Sequence, residues 1–320
     1  MAIAIEVSNL TKYYGKQLAV DKINFKIEEG EIFGFLGPNG AGKTTTIKIL
    51  ASLLKPDIGT ATVMGYNVVR DSRMVRKYIG VVPERSNLYN ELTAWDNLMF
   101  MAQLYGVPRH NRGQKVHELL DMFSLNEFCH KRFEVLSKGL KRRLTIAAGL
   151  VHEPRLFFLD EPTTGLDVQS ARFIRQLITT LKEQRVTTFL TTHYIEEADQ
   201  LCDRVAIINK GRIITINTPE NLKASSQTGI VLEIVLDHGT EQLKKDLEKK
   251  NLGSVTKVNN HLRILTENLS QVFTYISGFT RDHKLDIRAI NTVKPTLEDA
   301  FVRITGLTPE EMKAEKGQKG

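Results

Sequence analysis

Apolar residues follow strand-like and helix-like spacings in the first 220 residues. Strand-like segments are found at residues 3–7, 23–27, 32–36, 59–69 and 156–159. The first two alternate apolar and polar residues, with turn residues at 14–15 and 29–30, which predicts an antiparallel strand pair. The runs at 32–36 and 156–159 are continuously apolar and predict buried strands. Helical spacing is found at positions 47, 50, 51 and 54, ending at Lys55-Pro56, and through much of residues 90–151.

The pattern restarts after a polar, turn-rich stretch at residues 224–229. The later elements are predicted as strand 230–236, helix 241–250, two strands within 255–266 that turn at Asn259-Asn260, helix 269–279, strand 287–293 and helix 296–304. Thr296 and Asp299 have the spacing of a capping box. This β-α-β-β-α-β order predicts a small α+β, ferredoxin-like domain.

These boundaries predict an N-terminal domain at residues 1–224, an accessory α+β domain at 229–307 and a tail at 308–320. The tail is polar and rich in Lys, Glu and Gly, so we expect it to be frayed. The accessory domain carries no paired acids, metal-binding cluster or glycine-rich loop. We interpret it as a regulatory or dimer-stabilising appendage.

Composition favours a globular protein outside the membrane. The chain has 320 residues, of which 41% are hydrophobic and 25% charged. It has no run of about 18 apolar residues and no leader-like start, so we expect neither a membrane span nor secretion. Cys129 and Cys202 are too far apart for a disulfide framework, which favours reduced thiols in the cytosol. The net charge of +7 permits contact with nucleic acid or an anionic membrane without indicating either.

A glycine-rich loop between a predicted strand and a predicted helix carries the clearest chemistry. It consists of Gly37, Pro38, Asn39, Gly40, Ala41, Gly42, Lys43, Thr44 and Thr45. The pattern G-x-x-x-x-G-K-[ST] is typical of loops whose backbone N–H groups surround a nucleotide's phosphates. The following helix N-terminus adds unpaired donors and a positive dipole end. We therefore expect ATP here, with Lys43 at the β- and γ-phosphates and Thr44 as a ligand of Mg²⁺.

Two adjacent acids end the apolar run at 156–159. Asp160 is predicted to hold Mg²⁺ through its water shell. Successive side chains of an extended chain point to opposite sides, so Glu161 cannot share that role. We expect Glu161 to act as the general base that polarises the attacking water. Together with the phosphate-binding loop, the acid pair predicts ATP hydrolysis.

Three further segments give the chain a family resemblance. Residues 136–143, Leu-Ser-Lys-Gly-Leu-Lys-Arg-Arg, resemble the signature motif of ATP-binding cassette (ABC) ATPases. Residues 162–167 resemble the family's D-loop and end at Asp167, and Leu-Thr-Thr-His at 190–193 resembles the segment with the switch histidine, His193. The motifs occur in family order over roughly residues 3 to 220. The chain is thus identified as a member of this family, which implies an α/β P-loop NTPase with a RecA-like core, an antiparallel β subdomain and a helical subdomain.

The resemblance implies roles for several side chains. Ser137, Lys138 and Gly139 would contact the ATP held by a second subunit, with Asp167 also in the nucleotide site. His193 would bond the γ-phosphate and position Glu161 or the water. Ser137 also suits an ordinary helix N-cap, for a helix with an apolar face at positions 140, 144, 147 and 151.

Adenine would stack on an aromatic residue at the start of the domain. Tyr14 resembles that residue, although Tyr13 stands next to it. The contribution of such a ring would be roughly 1–3 kcal/mol, by analogy with base stacking.

Two positions depart from the family pattern. Glu84 stands where the family usually has Gln, at the loop that joins the core to the helical subdomain. Its carboxylate could accept a hydrogen bond from a Mg²⁺-bound water, so we include it among the catalytic and metal-site residues, but it adds negative charge beside the phosphates. Lys138 stands where Gly is common. It would either add positive charge near the partner's γ-phosphate or face solvent.

The predicted function is an ATP-binding and ATP-hydrolysing subunit of an ABC membrane transporter. It would dimerise around two ATP molecules and drive a separate permease from the cytoplasmic face of the membrane. Residues 296–301, Thr-Leu-Glu-Asp-Ala-Phe, resemble the C-terminal extension of drug- and antibiotic-exporting systems, which favours export. Tyr89 and Trp95 fall where the family receives the permease's coupling helix, or else belong to the subdomain core. The alternative is a soluble ABC-type ATPase acting on ribosomes or nucleic acid; we do not expect nucleic acid as a partner.

Overall fold

The computed structural model describes residues 2–225, 230–250, 252–258, 261–293, 295–307 and 311–312. Two compact units divide the chain, Met1–Ile216 and Asn217–Ala314. The predicted turn at Asn259-Asn260, and residues 308–310 and 313–320 of the predicted tail, lie outside the described residues.

The first unit contains ten strands and seven α-helices among the residues described. The strands are β1 (Ile3–Tyr14), β2 (Gln17–Glu28), β3 (Ile32–Leu36), β4 (Ile58–Val63), β5 (Tyr66–Asn67), β6 (Ile79–Val82), β7 (Leu156–Asp160), β8 (Thr187–Thr192), β9 (Arg204–Asn209) and β10 (Arg212–Asn217). The helices are α1 (Lys43–Leu50), α2 (Ser72–Tyr78), α3 (Ala94–Leu104), α4 (Arg109–Met122), α5 (Lys138–Leu150), α6 (Val168–Glu183) and α7 (Ile195–Leu201).

An antiparallel sheet of order β2-β1-β4-β5 contains the predicted strand pair. The β1–β2 hairpin is longer than the alternating segments suggested, because pairing continues to Tyr14 and Gln17 at its tip. Apolar side chains of these strands, such as Val7 and Phe25, enter one core with those of the central sheet. The antiparallel subdomain is thereby fixed against the strand that precedes the phosphate-binding loop.

The central sheet has the order β10-β9-β3-β8-β7-β6. Strands β3, β8 and β7 run parallel, and every residue in them is buried. The continuous apolar runs predicted this burial for β3 and β7, whereas β8 contains four threonines. Strand β8 lies between the strand of the phosphate-binding loop and the strand of the acid pair. The carboxyl ends of all three strands therefore meet at one edge of the sheet, which is where ligands bind in open α/β sheets.

The helical predictions are confirmed in type and less so in extent. Helix α1 ends at Leu50, before the expected Leu54, because Ser52 adopts a left-handed backbone (φ 57°) that no α-helix continues through. Residues 90–151 hold α3, α4 and α5, with two short 3₁₀ turns between α4 and α5. Thr93 and Ser137 cap α3 and α5 through their side-chain oxygens.

The second unit contains β11 (Ile230–Leu236), β12 (Ser254–Val258), β13 (His261–Thr266) and β14 (Ile287–Val293), with helices α8 (Pro219–Ser225), α9 (Thr240–Lys249), α10 (Leu269–Asp282) and α11 (Leu297–Thr305). Its antiparallel sheet has the order β12-β13-β11-β14. The predicted β-α-β-β-α-β order is present, and the assignment to the ferredoxin-like class stays a prediction. Helix α8 packs against α11, so it lies in this unit. The Thr296–Asp299 capping box is formed as predicted.

Cys129 and Cys202 are both free thiols, and Cys202 is buried. Burial raises the pKa of the Cys202 thiol well above its ordinary value, which keeps it protonated and unreactive. Among the described residues, no helix has the length and apolar character needed to cross a bilayer.

Candidate functional site

The phosphate-binding loop is closely packed at its two outer glycines. A Cβ atom added to Gly37 would lie 2.1 Å from the carbonyl oxygen of Ile208. Gly42 has a φ of 105°, and a Cβ there would lie 2.5 Å from the carbonyl oxygen of Ala19. Only glycine fits both positions, because of close backbone approach at one and close approach with left-handed geometry at the other. Helix α1 begins directly afterwards, at Lys43, so its free N–H groups face the space enclosed by the loop.

Lys43 links this loop to the acid pair. Its Nζ donates to the carbonyl oxygens of Gly37 and Pro38, at 2.6 and 3.2 Å, and lies 3.0 Å from Oε1 of Glu161. Both charged side chains of this ion pair are only 6% exposed. A buried, paired ammonium beside free helix N–H groups is suited to bind a polyphosphate.

Asp160, at the end of β7, accepts hydrogen bonds from two threonine hydroxyl groups. Thr44 Oγ1 donates to Oδ2 at 2.8 Å, and Thr191 Oγ1 donates to Oδ1 at 2.6 Å. In the described part of the chain, no group of three or more His, Cys, Asp or Glu residues could hold a metal ion. A hydroxyl and one carboxylate nevertheless fit Mg²⁺, which takes few protein ligands and completes its shell with water and phosphate oxygens.

Glu161 has contacts different from those of Asp160, but it lies in a turn after β7 and not on the extended strand from which sequence analysis argued. Its Oε2 accepts from Thr164 Oγ1 at 3.1 Å and lies 2.8 Å from Nδ1 of His193. Glu161 itself has a left-handed backbone, with a φ of 48°, and its N–H donates to the carbonyl oxygen of Thr191. This turn separates the two carboxylates although their residues are adjacent.

The electrostatic environment keeps Glu161 ionised. Burial by itself would raise the pKa of its carboxyl, but the hydrogen bond from His193 and the charge of Lys43 outweigh burial and leave the pKa below its ordinary value. The carboxylate is therefore deprotonated at neutral pH, as a general base must be. The protonation state of Glu161 thus depends in part on His193, which directly follows β8.

We expect His193→Ala to shift the acid limb of the pH–rate profile to higher pH. Without the histidine, burial is opposed mainly by Lys43, so the pKa of Glu161 rises and the base is lost at a higher pH. Turnover at the optimum should also fall, roughly tenfold to hundredfold, because the carboxylate loses its orienting bond. Steady-state ATPase rates across pH check this, with the exposed His130→Ala as control. An unshifted acid limb would contradict the argument.

The signature and D-loop segments pack against each other. Ser137 caps α5 by accepting from the N–H of Leu140, and Asp167 caps α6 by accepting from the N–H of Ser170. A Cβ on Gly139 would lie 2.2 Å from Oγ of Ser170, so glycine lets the two helix N-termini approach closely. The structure thus supports the N-cap reading of Ser137. The roles of these residues toward a second nucleotide stay predictions.

Glu84 and Lys138, the two departures, line one cleft of about 390 Å³ that also reaches Glu161. Lys138 Nζ lies beside Gly165 of the D-loop segment in the same chain. Glu84 is exposed, and no described contact joins its carboxylate to Thr44 or Asp160. Its predicted place in the metal site, through a Mg²⁺-bound water, stays a prediction.

Tyr14 lies at the tip of the β1–β2 hairpin, with Tyr13 beside it. Both rings are exposed, so exposure does not decide between them. No described hydrogen bond or ring contact links Tyr14 to the group around Lys43, and its predicted role at adenine stays a prediction.

Two charged residues near the acid pair were missed by sequence reasoning. Arg142 of α5 is buried and donates only to backbone carbonyl groups, including that of Asp160. Glu197 of α7 is buried and accepts from Thr163 Oγ1 at 2.9 Å, and burial raises the pKa of its carboxyl. The apolar face predicted for α5, at positions 140, 144, 147 and 151, does not include Arg142, so helical spacing gave no signal for this residue.

Comparisons with known proteins agree with this geometry. A family model described as "ABC transporter" matches residues 20–164, and an AAA-domain model matches residues 132–199. The linearmycin resistance ATP-binding protein LnrL of Bacillus subtilis is 34% identical over 95% of this chain and 99% of its own. The chain belongs to the ABC transporter family. It is an ATP-binding subunit of an ABC transporter and an ATPase.

Other members of the family extend the comparison. The daunorubicin/doxorubicin resistance ATP-binding protein DrrA of Streptomyces peucetius is 35% identical over 98% of this chain and 96% of its own. A solved ATP-binding subunit of an ABC transporter has a TM-score of 0.64, 29% identity, and coverage of 69% of this chain and 92% of its own. The dimeric, post-hydrolysis structure of the ATP-binding cassette MJ0796 with ADP and phosphate has a TM-score of 0.62 and 28% identity, covering 67% and 98%. The predicted P-loop ABC ATPase fold is thereby confirmed.

Proposed function

We propose that this protein is the ATPase subunit of an exporter for drug-like or antibiotic molecules. The observation that supports this most is the near full-length similarity to resistance ATP-binding proteins, which includes the C-terminal unit. The Nod factor export ATP-binding protein of Mesorhizobium japonicum is also 36% identical over 97% of the chain. Relatives whose printed names refer to resistance or export thus align with both units.

Hydrolysis is assigned to the residues at the sheet edge. Lys43 neutralises the phosphates, and Glu161 accepts the proton of the attacking water, which His193 helps to orient. Thr44 and Asp160 would hold Mg²⁺, which when bound offsets phosphate charge. The lowered pKa of Glu161 supports its role as base, because the carboxylate is ready to take a proton at neutral pH.

ATP is proposed to lie between two copies of the subunit. The exposed ends of the signature and D-loop helices support this, because Val168 is 78% exposed and Val135 is 66% exposed. Exposed apolar side chains directly beside these two motifs suit a surface that a partner covers. Ser137 and Lys138 are exposed on the same segment and would reach the partner's nucleotide.

A separate membrane permease is the second proposed partner, reached from the cytoplasmic face. We define the α3 patch as Tyr89, Phe100 and Leu104. Tyr89 and Phe100 contact edge to face, and Tyr89 and Leu104 are 50% and 66% exposed. Trp95 is half-buried and its ring contacts that of His117, so we do not include it in the patch. Exposed aromatic and aliphatic groups of this kind are enriched in protein interfaces.

Co-purification tests this proposal. Tagged protein carrying Glu161→Gln, taken from native membranes in mild detergent, should bring down a multi-span permease in equal amount. Leu104→Glu should abolish that recovery and leave the ATPase rate unchanged, whereas Leu53→Glu, at an equally exposed leucine outside the patch, should not. Recovery only from the soluble fraction, or with ribosomes, would overturn the exporter proposal and favour the soluble alternative.

A further inference from the structure

Arg142 makes an unusual set of bonds for a charged side chain. It lies in α5, five residues after the signature serine, and is 7% exposed. Its guanidinium donates to four backbone carbonyl groups and to no described carboxylate. The acceptors are Pro162 from Nε at 2.8 Å, Asp160 from Nη2 at 2.8 Å, and Pro83 and Glu84 from Nη1 at 2.5 and 3.3 Å.

The first two acceptors stand on either side of Glu161. The carbonyl group of Asp160 belongs to the peptide unit directly before the left-handed residue, and that of Pro162 belongs to the second peptide unit after it. A non-glycine residue keeps this backbone only where its surroundings determine it. The two hydrogen bonds from Arg142 fix the backbone before and after Glu161. A third hydrogen bond, from the N–H of Glu161 to the carbonyl oxygen of Thr191, fixes the residue itself.

The other two acceptors belong to the loop that follows β6. Glu84 lines the cleft that Glu161, Lys138 and Arg142 also line, and Pro83 precedes it in the loop. One planar group therefore joins three segments: the signature helix, the loop at Glu84 and the turn at Glu161. A guanidinium suits this task because its donors form a rigid fork, whereas an ammonium is a single point.

We propose that Arg142 is a positioning residue for ATP hydrolysis, holding Glu161 in its working orientation and coupling that orientation to the placement of α5. The inference rests on the proposed role of Glu161 as general base. A displacement of α5 relative to β7 breaks the bonds on both sides of Glu161 and releases the turn. The base is thus correctly oriented only when the signature helix is seated against the core.

Burial has a clear effect on Arg142 itself. It lowers the pKa of the guanidinium to about 10, with nearby Asp160 opposing the shift. The side chain remains charged at neutral pH and keeps all its donors. Arg142 contacts no residue of the loop 37–45 in the described structure, so nucleotide affinity should be independent of it.

Arg142→Met tests the proposal in the full-length protein. We expect turnover to fall roughly tenfold to hundredfold, as for a misplaced catalytic group. The Kd for ATP should stay within threefold. The same substitution in a Glu161→Gln background should cause no further loss in single-turnover hydrolysis, because the base on which Arg142 acts is already absent. Arg155→Met is the control, since this arginine directly precedes β7 and, among the described residues, its side chain forms an ion pair with half-buried Glu29.

Three results would overturn the inference: turnover of Arg142→Met within twofold of wild type, a parallel loss of ATP affinity, or losses that multiply with that of Glu161→Gln. If Arg142→Met fails to fold, Arg142→Lys tests the proposal instead. A single ammonium cannot bond the carbonyl groups of both Asp160 and Pro162 as the guanidinium does. At least a fivefold loss of turnover with intact affinity is expected, and full turnover would refute the proposal. If Glu161→Gln alone retains wild-type turnover, the proposed base is wrong, which is a separate failure.

Discussion

Glu161→Gln should lower ATP turnover by about 10²–10⁴ while ATP remains bound. The amide has nearly the same shape as the carboxylate but cannot accept a proton from water. Lys43 loses its buried ionic partner and becomes free to pair with phosphate. Affinity for ATP should therefore be equal or higher, so the effect falls on kcat rather than on binding.

Single-turnover hydrolysis together with ATP titration checks this. Glu196→Gln is the matched control, because this exposed glutamate lies on α7, three residues beyond His193. Turnover equal to wild type in Glu161→Gln would remove the general base from the mechanism. An equal loss in Glu196→Gln would show that the assay reports general damage instead.

The phosphate-binding loop and the acid pair, the two clearest motifs in the sequence, both lie at the ends of apolar strands. The loop after β3 and the acids after β7 were predicted from such runs, because strands buried on both faces have a clear apolar signature. Their separation by β8 could not be predicted, since strand order depends on pairing between distant segments. That order is what places His193 between the loop and Glu161.

Two features that the sequence did not reveal, the bonds of Arg142 and the turn at Glu161, depend on backbone geometry. Arg142 bonds only carbonyl oxygens, and these carry no side-chain signal at Pro83, Glu84, Asp160 or Pro162. The left-handed turn at Glu161 is equally invisible, because glutamate has no preference for it. Helical spacing gave no hint either, because Arg142 is buried with Thr145 and Ile146, outside the apolar face predicted at positions 140, 144, 147 and 151.

For Glu84, the structure adds contacts that the family pattern alone does not give. The residue occupies the predicted loop, yet its side chain is exposed, and its described bonds to the site run through its backbone carbonyl to Arg142. That bond would form equally well with Gln at this position. The substitution of Glu for Gln therefore leaves the link between this loop and α5 unchanged.

Lys43→Ala should weaken ATP binding by roughly ten- to hundredfold, the expected loss of charge-assisted bonds worth about 1.5–3 kcal/mol. The ammonium is already placed inside the loop by the carbonyl groups of Gly37 and Pro38, so little ordering is needed when phosphate arrives. Its removal also leaves buried Glu161 with one fewer positive neighbour, which raises the pKa of the remaining carboxyl.

Titration calorimetry with ATP and Mg²⁺ measures the affinity, and Lys48→Ala provides the control from an exposed position on the same helix. Both variants remove one positive charge from α1, so a general electrostatic effect would appear in both. A loss confined to Lys43→Ala would assign the phosphates to the loop at Gly37–Thr45. Wild-type affinity in that variant would instead require the nucleotide to bind without the only lysine that the described structure places inside this loop.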